Sequence, residues 1–335
     1  MAQLWRIHLL AGKEDTEEEK NMCIISKRMA IGWPCQISQD NIQEYKKKFD
    51  LIAQKNKWLK KNGNYPDSLT YMLENVKIDD YVWTRDQKGK YRIAKIKDGP
   101  HFPTPSDEEN FFNWFGVYWN VYDWLECQDY EVPGKIINSL IKGRTLQTAD
   151  SCLLEYSKYL YQKKLRNKGD SNSYVTFYPS EDVITTLKNL LHYDDLEDLL
   201  GLWLQIGNEY VVFPSTNKQG TKDYEYVLKK KDGSRKAVIQ CKTGYSGIDA
   251  SKFNKYVNDD YNVYLATTFG IISNKPENMI EINNQNSKIN DYSAQMYSVS
   301  IKYLLDWATK HEKILPDRIK YYLEITGYLN TNKSQ

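Results

Sequence analysis

The stretch that most restricts what this chain can become is residues 220–244, GTKDYEYVLKKKDGSRKAVIQCKTG. Asp223, Glu225 and Val227 alternate with Tyr224, Tyr226 and Leu228, which is the period of a β-strand. Asp232-Gly233 then supplies a tight turn, because glycine accepts the positive φ that such turns require. Ala237 to Lys242 reads as the return strand, with Val238, Gln240 and Lys242 on one face and Ala237, Ile239 and Cys241 on the other. One polar face is therefore expected to collect Asp223, Glu225, Gln240 and Lys242.

Carboxylate and amide oxygens are hard ligands suited to magnesium, with water completing an octahedral shell. A lysine beside them can orient or deprotonate an attacking water, or neutralise charge on a phosphate. The same pattern also describes an ordinary solvated hairpin face, so spacing alone leaves both readings open. Asp223 followed by Gln240-Cys241-Lys242 resembles the acid and Gln-x-Lys variant of the PD-(D/E)xK nuclease site, nearest to the Mrr-type restriction endonucleases. That resemblance implies a metal held by Asp223, Gln240, the backbone carbonyl of Cys241 and a glutamate from a preceding helix, for which Glu197 is the matching position. Lys242 would position the water. The implied cofactor is Mg2+, with Mn2+ as a substitute. No proline precedes Asp223, and Glu225 follows two residues on, so which of these two acids holds the metal stays open.

A chain of 335 residues is long enough for two domains, each burying its own core. It contains no apolar run of membrane-spanning length and no secretory pattern near Arg6, so a cytoplasmic protein with no membrane partner is expected. Its five cysteines include no C-x-x-C pair, which argues against zinc and against a disulfide framework. The net charge of +2 does not advertise a polyanion partner, so any nucleic-acid surface must be local. Aromatic residues make up 13%, more than a core requires, and aromatics suit sites where bases are stacked. There is no Walker loop, G-x-S-x-G elbow or H-E-x-x-H motif to support a rival hydrolase chemistry.

The first 150 residues carry a second pattern: Leu4-Trp5-Arg6-Ile7 with Gly12, Ala30-Ile31-Gly32-Trp33, then residues 76–83, 91–96, Trp124-Leu125 and Thr145-Leu146. In order and content these segments resemble an EVE domain of the PUA-like barrel superfamily, with Asp79-Asp80 standing where Gly-Asp is expected. The resemblance implies that a modified base, expected to be a cytosine, is flipped into an aromatic pocket. Trp33 and Trp83, each at a strand end, are the candidate base-binding residues; the competing role for both is core packing.

The expected fold class is α/β (α+β). A small PUA-like β-barrel over 1–150 and a helical, polar linker over 151–174 precede a PD-(D/E)xK domain over 175–335 whose central mixed sheet is flanked by helices. The expected function is modification-dependent cleavage of double-stranded DNA, with pairing as a homodimer or higher oligomer to cut both strands. The alternative is a sensor or adaptor that binds modified nucleic acid on a degenerate nuclease scaffold.

Overall fold

The computed structural model describes all residues except 1, 10–16, 36, 61–63, 108–110, 142–143, 170–174, 214–222, 288, 290–292 and 332–335. Gly12, residues 220–222 at the start of the 220–244 stretch and residues 170–174 of the expected linker therefore lie outside the described residues. The chain divides into two compact units, residues 1–177 and 178–335.

In the first unit, seven strands are linked by pairing: β1 (Leu4–Ile7), β2 (Arg28–Ile31), β3 (Tyr81–Arg85), β4 (Tyr91–His101), β5 (Val117–Val121), β6 (Leu125–Cys127) and β7 (Leu146–Thr148). Their order is β2-β5-β4-β3-β1-β7, with β6 on β4. β1 runs parallel to β3, and the other pairs are antiparallel. The register of β4 against β5 shifts twice after Ile96, which lets one long strand pair with β3 and β6 first and β5 later.

The helices of this unit are α1 (Glu17–Ile25), α2 (Ile42–Asn56), α3 (Asp67–Asn75), α4 (Phe111–Trp114), α5 (Gly134–Ile141) and α6 (Leu154–Asn167). α2 starts where Asn41 caps the amides of Gln43 and Glu44, and it buries Tyr45, Phe49 and Ala53 at helical spacing. Asp79 takes φ +72, the backbone conformation for which a glycine would be expected at that point. Beside it the buried Asp80 carboxylate accepts from the Gln3 amide, the Trp5 indole and the Lys77 amide, tying the start of β3 to β1. Helix α6, which the sequence assigns to a linker, instead packs on β3, β4 and β6 within the first unit. Its apolar face carries Tyr156, Leu160 and Tyr161 into the core, which is why it cannot stand free as a connector.

The second unit is a mixed α/β layer structure. Its strands are β8 (Tyr210–Val212), β9 (Val227–Lys230), β10 (Lys236–Lys242), β11 (Ile248–Asp249), β12 (Tyr261–Thr267), β13 (Ile272–Ser273), β14 (Ile280–Ile282) and β15 (Met296–Val299). Six of them form a sheet in the order β14-β15-β12-β10-β9-β8, parallel from β14 to β10 and antiparallel beyond; β11 and β13 pair separately. The helices are α7 (Val183–Leu190), α8 (Tyr193–Leu202), α9 (Asn254–Asn258), α10 (Ile301–Lys310), α11 (Asp317–Ile325) and α12 (Tyr328–Thr331).

The β9–β10 hairpin forms with the expected turn: Gly233 has φ +78 and donates to the Lys230 carbonyl at 2.9 Å. Two expectations for it are corrected. The first strand begins at Val227 rather than Asp223, because the preceding residues bend toward α9. The Val238 face of β10 is also not simply polar: with β12 alongside, Val238 joins Val263, Leu265, Phe253 and Met296 in one core. The opposite sheet face buries Tyr264, which stacks on Tyr297 with ring centroids 4.9 Å apart and meets Trp203 edge-on. No helix among the described residues is long and apolar enough to cross a membrane.

Candidate functional site

The site is built where β10 ends, at the carboxyl edge of the parallel strands, the usual place for ligands in open α/β sheets. β10 pairs along its whole length with β12, from Lys236 opposite Tyr261 to Lys242 opposite Thr267. Gln240 is buried on this strand and Lys242 stands exposed at its end.

Register decides which acid meets them. Val238 pairs with Val227, so two residues further along β10 and two residues back along its partner bring Gln240 opposite Glu225. The Glu225 amide donates to the Ile239 carbonyl at 3.0 Å, holding the segment in line. The Gln240 amide donates to the Glu225 carboxylate and, at 3.1 Å, to the carbonyl of Cys241. The Lys242 ammonium lies 3.9 Å from Glu225.

Asp223 is turned elsewhere. Its carboxylate pairs with Lys255 and accepts a hydrogen bond from the Tyr256 hydroxyl at 3.2 Å, both on α9. The Lys255 bond holds the Asp223 carboxyl below its ordinary pKa. Glu225, and not Asp223, is therefore the acid in contact with Gln240 and Lys242.

Glu197 comes from α8. That helix begins at a reciprocal cap: the buried His192 accepts from the Asp194 amide, while Asp195 accepts from the His192 amide at 2.6 Å. Leu196, Leu199 and Leu200 face the core, which leaves Glu197 half-buried at the edge facing the sheet. The Tyr226 hydroxyl donates to the Glu197 carbonyl at 2.9 Å and fixes the helix over the hairpin. Burial first, and then the charge of Glu225, push the Glu197 carboxyl up to about 8, with Lys242 pulling the other way. Glu197 thus feels the charge of Glu225, which itself lies beside Lys242.

Glu197, Glu225, the Gln240 side chain and the Cys241 carbonyl form an all-oxygen donor set once the Gln240 amide is turned to present its oxygen. A divalent cation would offset both the burial and the neighbouring Glu225 charge that raise the Glu197 carboxyl, so the set fits a hard ion of the magnesium class. Among the described residues, no group of three or more His, Cys, Asp and Glu side chains that could hold a metal gathers at one point, so an ion here would need the Gln240 amide and the Cys241 carbonyl as well. Tyr226 and the Lys255–Tyr256 pair are the participants that sequence reasoning misses; only Tyr226 leaves a trace there, as an apolar-face residue carrying a hydroxyl.

In the first unit the two tryptophans divide. Trp83 is fully buried and its indole N–H donates to Ser157 at 3.0 Å, so it is a core residue and offers no ring face to a base. Trp33 is half-buried, with φ +65, and its carbonyl accepts from the Tyr45 hydroxyl at 3.1 Å. A Cβ on Gly116 would stand 2.0 Å from that carbonyl, so the glycine is what permits this backbone to approach. A cavity of about 450 Å³ also opens in this unit, lined by Tyr81, Tyr122 and Tyr161 with Lys27, Lys95 and Gln162. No family model, no curated protein and no solved structure matches the chain.

Proposed function

We propose that this protein is a modification-dependent DNA endonuclease of the PD-(D/E)xK kind. Its first unit is a PUA-like barrel that receives a modified base, and its second cuts phosphodiester bonds with Mg2+. The observation that carries this reading is the convergence of Glu197, Glu225, Gln240 and Lys242 at the carboxyl end of β10. A bound Mg2+ would supply charge stabilisation for an in-line displacement at phosphorus.

The chain's own groups do the rest. Glu197 and Glu225 would hold the ion, with Gln240 and the Cys241 carbonyl completing the protein side of its shell. Lys242 would orient the attacking water. Asp223, held by Lys255, would keep the 223–226 segment in place rather than ligate. The base would stack on the open part of the Trp33 ring or enter the tyrosine-lined cavity; Trp83 has no such role.

Lys242→Ala, assayed on phage DNA bearing modified cytosines with Mg2+, should lower cutting by two or more orders of magnitude, on the scale of a lost catalytic group. Undiminished cutting would sink the assignment. The neutral Gln240 favours a second reading, a non-cleaving sensor of modified nucleic acid, because an amide holds magnesium less strongly than a carboxylate. Calorimetric titration separates the two: the nuclease reading requires a heat of Mg2+ binding that disappears in Glu225→Ala.

A further inference from the structure

Beyond the carboxylate cluster, the same sheet edge continues into a cationic groove with an aromatic step at its mouth. β10, β12, β15 and β14 are parallel, so the chain segments that follow them lie along one edge. The segments after β10 and β12 are joined: the Lys242 carbonyl accepts from the Thr268 amide and the Gly244 carbonyl from the Phe269 amide, each at 3.1 Å. From there a groove of about 550 Å³ runs along residues 267–272 toward Ser298 and Ser300. Lys188, Lys275 and Lys302 border it, against a single lining acid, Glu281. Lys302 also bonds Asp306 at 2.8 Å, along its own helix.

The step is made by Phe269 and Tyr245. Their rings stack with centroids 5.4 Å apart and planes 29° apart, and the Lys188 ammonium stands 5.4 Å from the Phe269 ring centre. Tyr245 is 84% exposed, the highest value among the large apolar side chains described. A ring left this open, on a base fixed by two backbone hydrogen bonds and a cation, loses the free energy it would gain by packing. Lysines spaced along a groove with a free ring face beside them are what a single strand of nucleic acid meets in its binding proteins: cations for phosphates, rings for bases. Paired bases are stacked on each other and have no face to give; an unpaired base does.

We propose that this groove holds an unpaired segment of DNA leading from the carboxylate cluster, with phosphates against Lys188, Lys275 and Lys302 and one base stacked on Tyr245. The proposal rests on the nuclease reading, since the strand held here is the one that would be cut. It narrows the substrate to DNA that is locally unpaired beside the scissile bond.

The test is binding by the full chain in EDTA, followed by fluorescence anisotropy with a labelled single-stranded oligodeoxynucleotide, its perfect duplex, and that duplex with a central unpaired bubble. Tyr245→Ala should weaken single strand and bubble about tenfold and change duplex binding less than about twofold, while Tyr245→Phe retains both, since the ring face is what stacks. The triple variant at Lys188, Lys275 and Lys302 to Ala should weaken the single strand and flatten its salt dependence. Equal effects of Tyr245→Ala on all three DNAs, no effect at all, or equally tight binding of a polyglutamate peptide would overturn the proposal. Failure here is distinct from failure of the nuclease reading. A chain that never cuts but shows Tyr245-dependent single-strand binding overturns the latter alone, and Mg2+-dependent cutting with Tyr245-independent binding overturns the groove alone.

Discussion

At the scale of single residues, Glu197 is the most informative group because its carboxyl is pushed up to about 8 from an ordinary 4.5. The folded state therefore binds this proton more tightly than the unfolded chain does. The stability it contributes is fully present below about pH 4.5, declines as pH rises, and is gone above about pH 8. Glu197→Gln should remove that slope, so that urea unfolding at about pH 9 finds the variant more stable than the parent by on the order of 1–3 kcal/mol, with little difference near pH 5. A parent whose stability is flat across this interval would contradict the placement of Glu197 beside Glu225. Gln240 and Lys242 were legible in the sequence because alternation and a Gly turn are local signals. The division of labour between Asp223 and Glu225 was not, since it depends on where the strand gives way to a bend and on Lys255, 32 residues further on. Trp83 could not be told from a pocket residue for the same reason: its partner Ser157 lies on another element, 74 residues away.

At the scale of elements, the position of α8 over the hairpin sets the site. A Cβ on Gly201 would stand 2.0 Å from the Tyr226 hydroxyl, the group that donates to the Glu197 carbonyl. Gly201→Ala should therefore push the helix off the hairpin, at a cost of about 1–3 kcal/mol, and reduce cutting although every proposed ligand is intact. Adding Tyr226→Phe removes the clashing oxygen, so thermal unfolding of the double variant should show part of the stability restored; a strictly additive loss would mean that the helix is not held at this point. The existence of α8, with its apolar residues at helical spacing, could be read from the sequence. Its closeness to β10 could not, because a single glycine facing a tyrosine hydroxyl carries no sequence signature.

At the scale of the whole molecule, two units were legible from length, but the sequence places the first boundary too early. The run of Lys, Arg, Asn and Gly after residue 163 reads as a linker, whereas the helix before it is amphipathic and closes the first core. α6 supplies Ser157 to Trp83, sets Tyr161 against Tyr81 with ring centroids 5.6 Å apart, and places Lys164 2.5 Å from the buried Glu131. Residues 1–177 should unfold cooperatively when followed by tryptophan fluorescence, while residues 1–150, with Trp83 and Glu131 uncovered, should show no such transition; equal cooperativity would move the boundary back to 150. The position of β10 has a consequence for how the second unit opens. Gln240 and Lys242 sit on a strand paired with β12 along its whole length and with β9 from Lys236 to Val238, whereas Glu225 belongs to a bent segment anchored by Lys255 and a few hydrogen bonds. The two halves of the cluster therefore rest on different amounts of strand pairing, and native-state hydrogen exchange should find the amides of residues 223–226 opening at a lower free energy than those of β10.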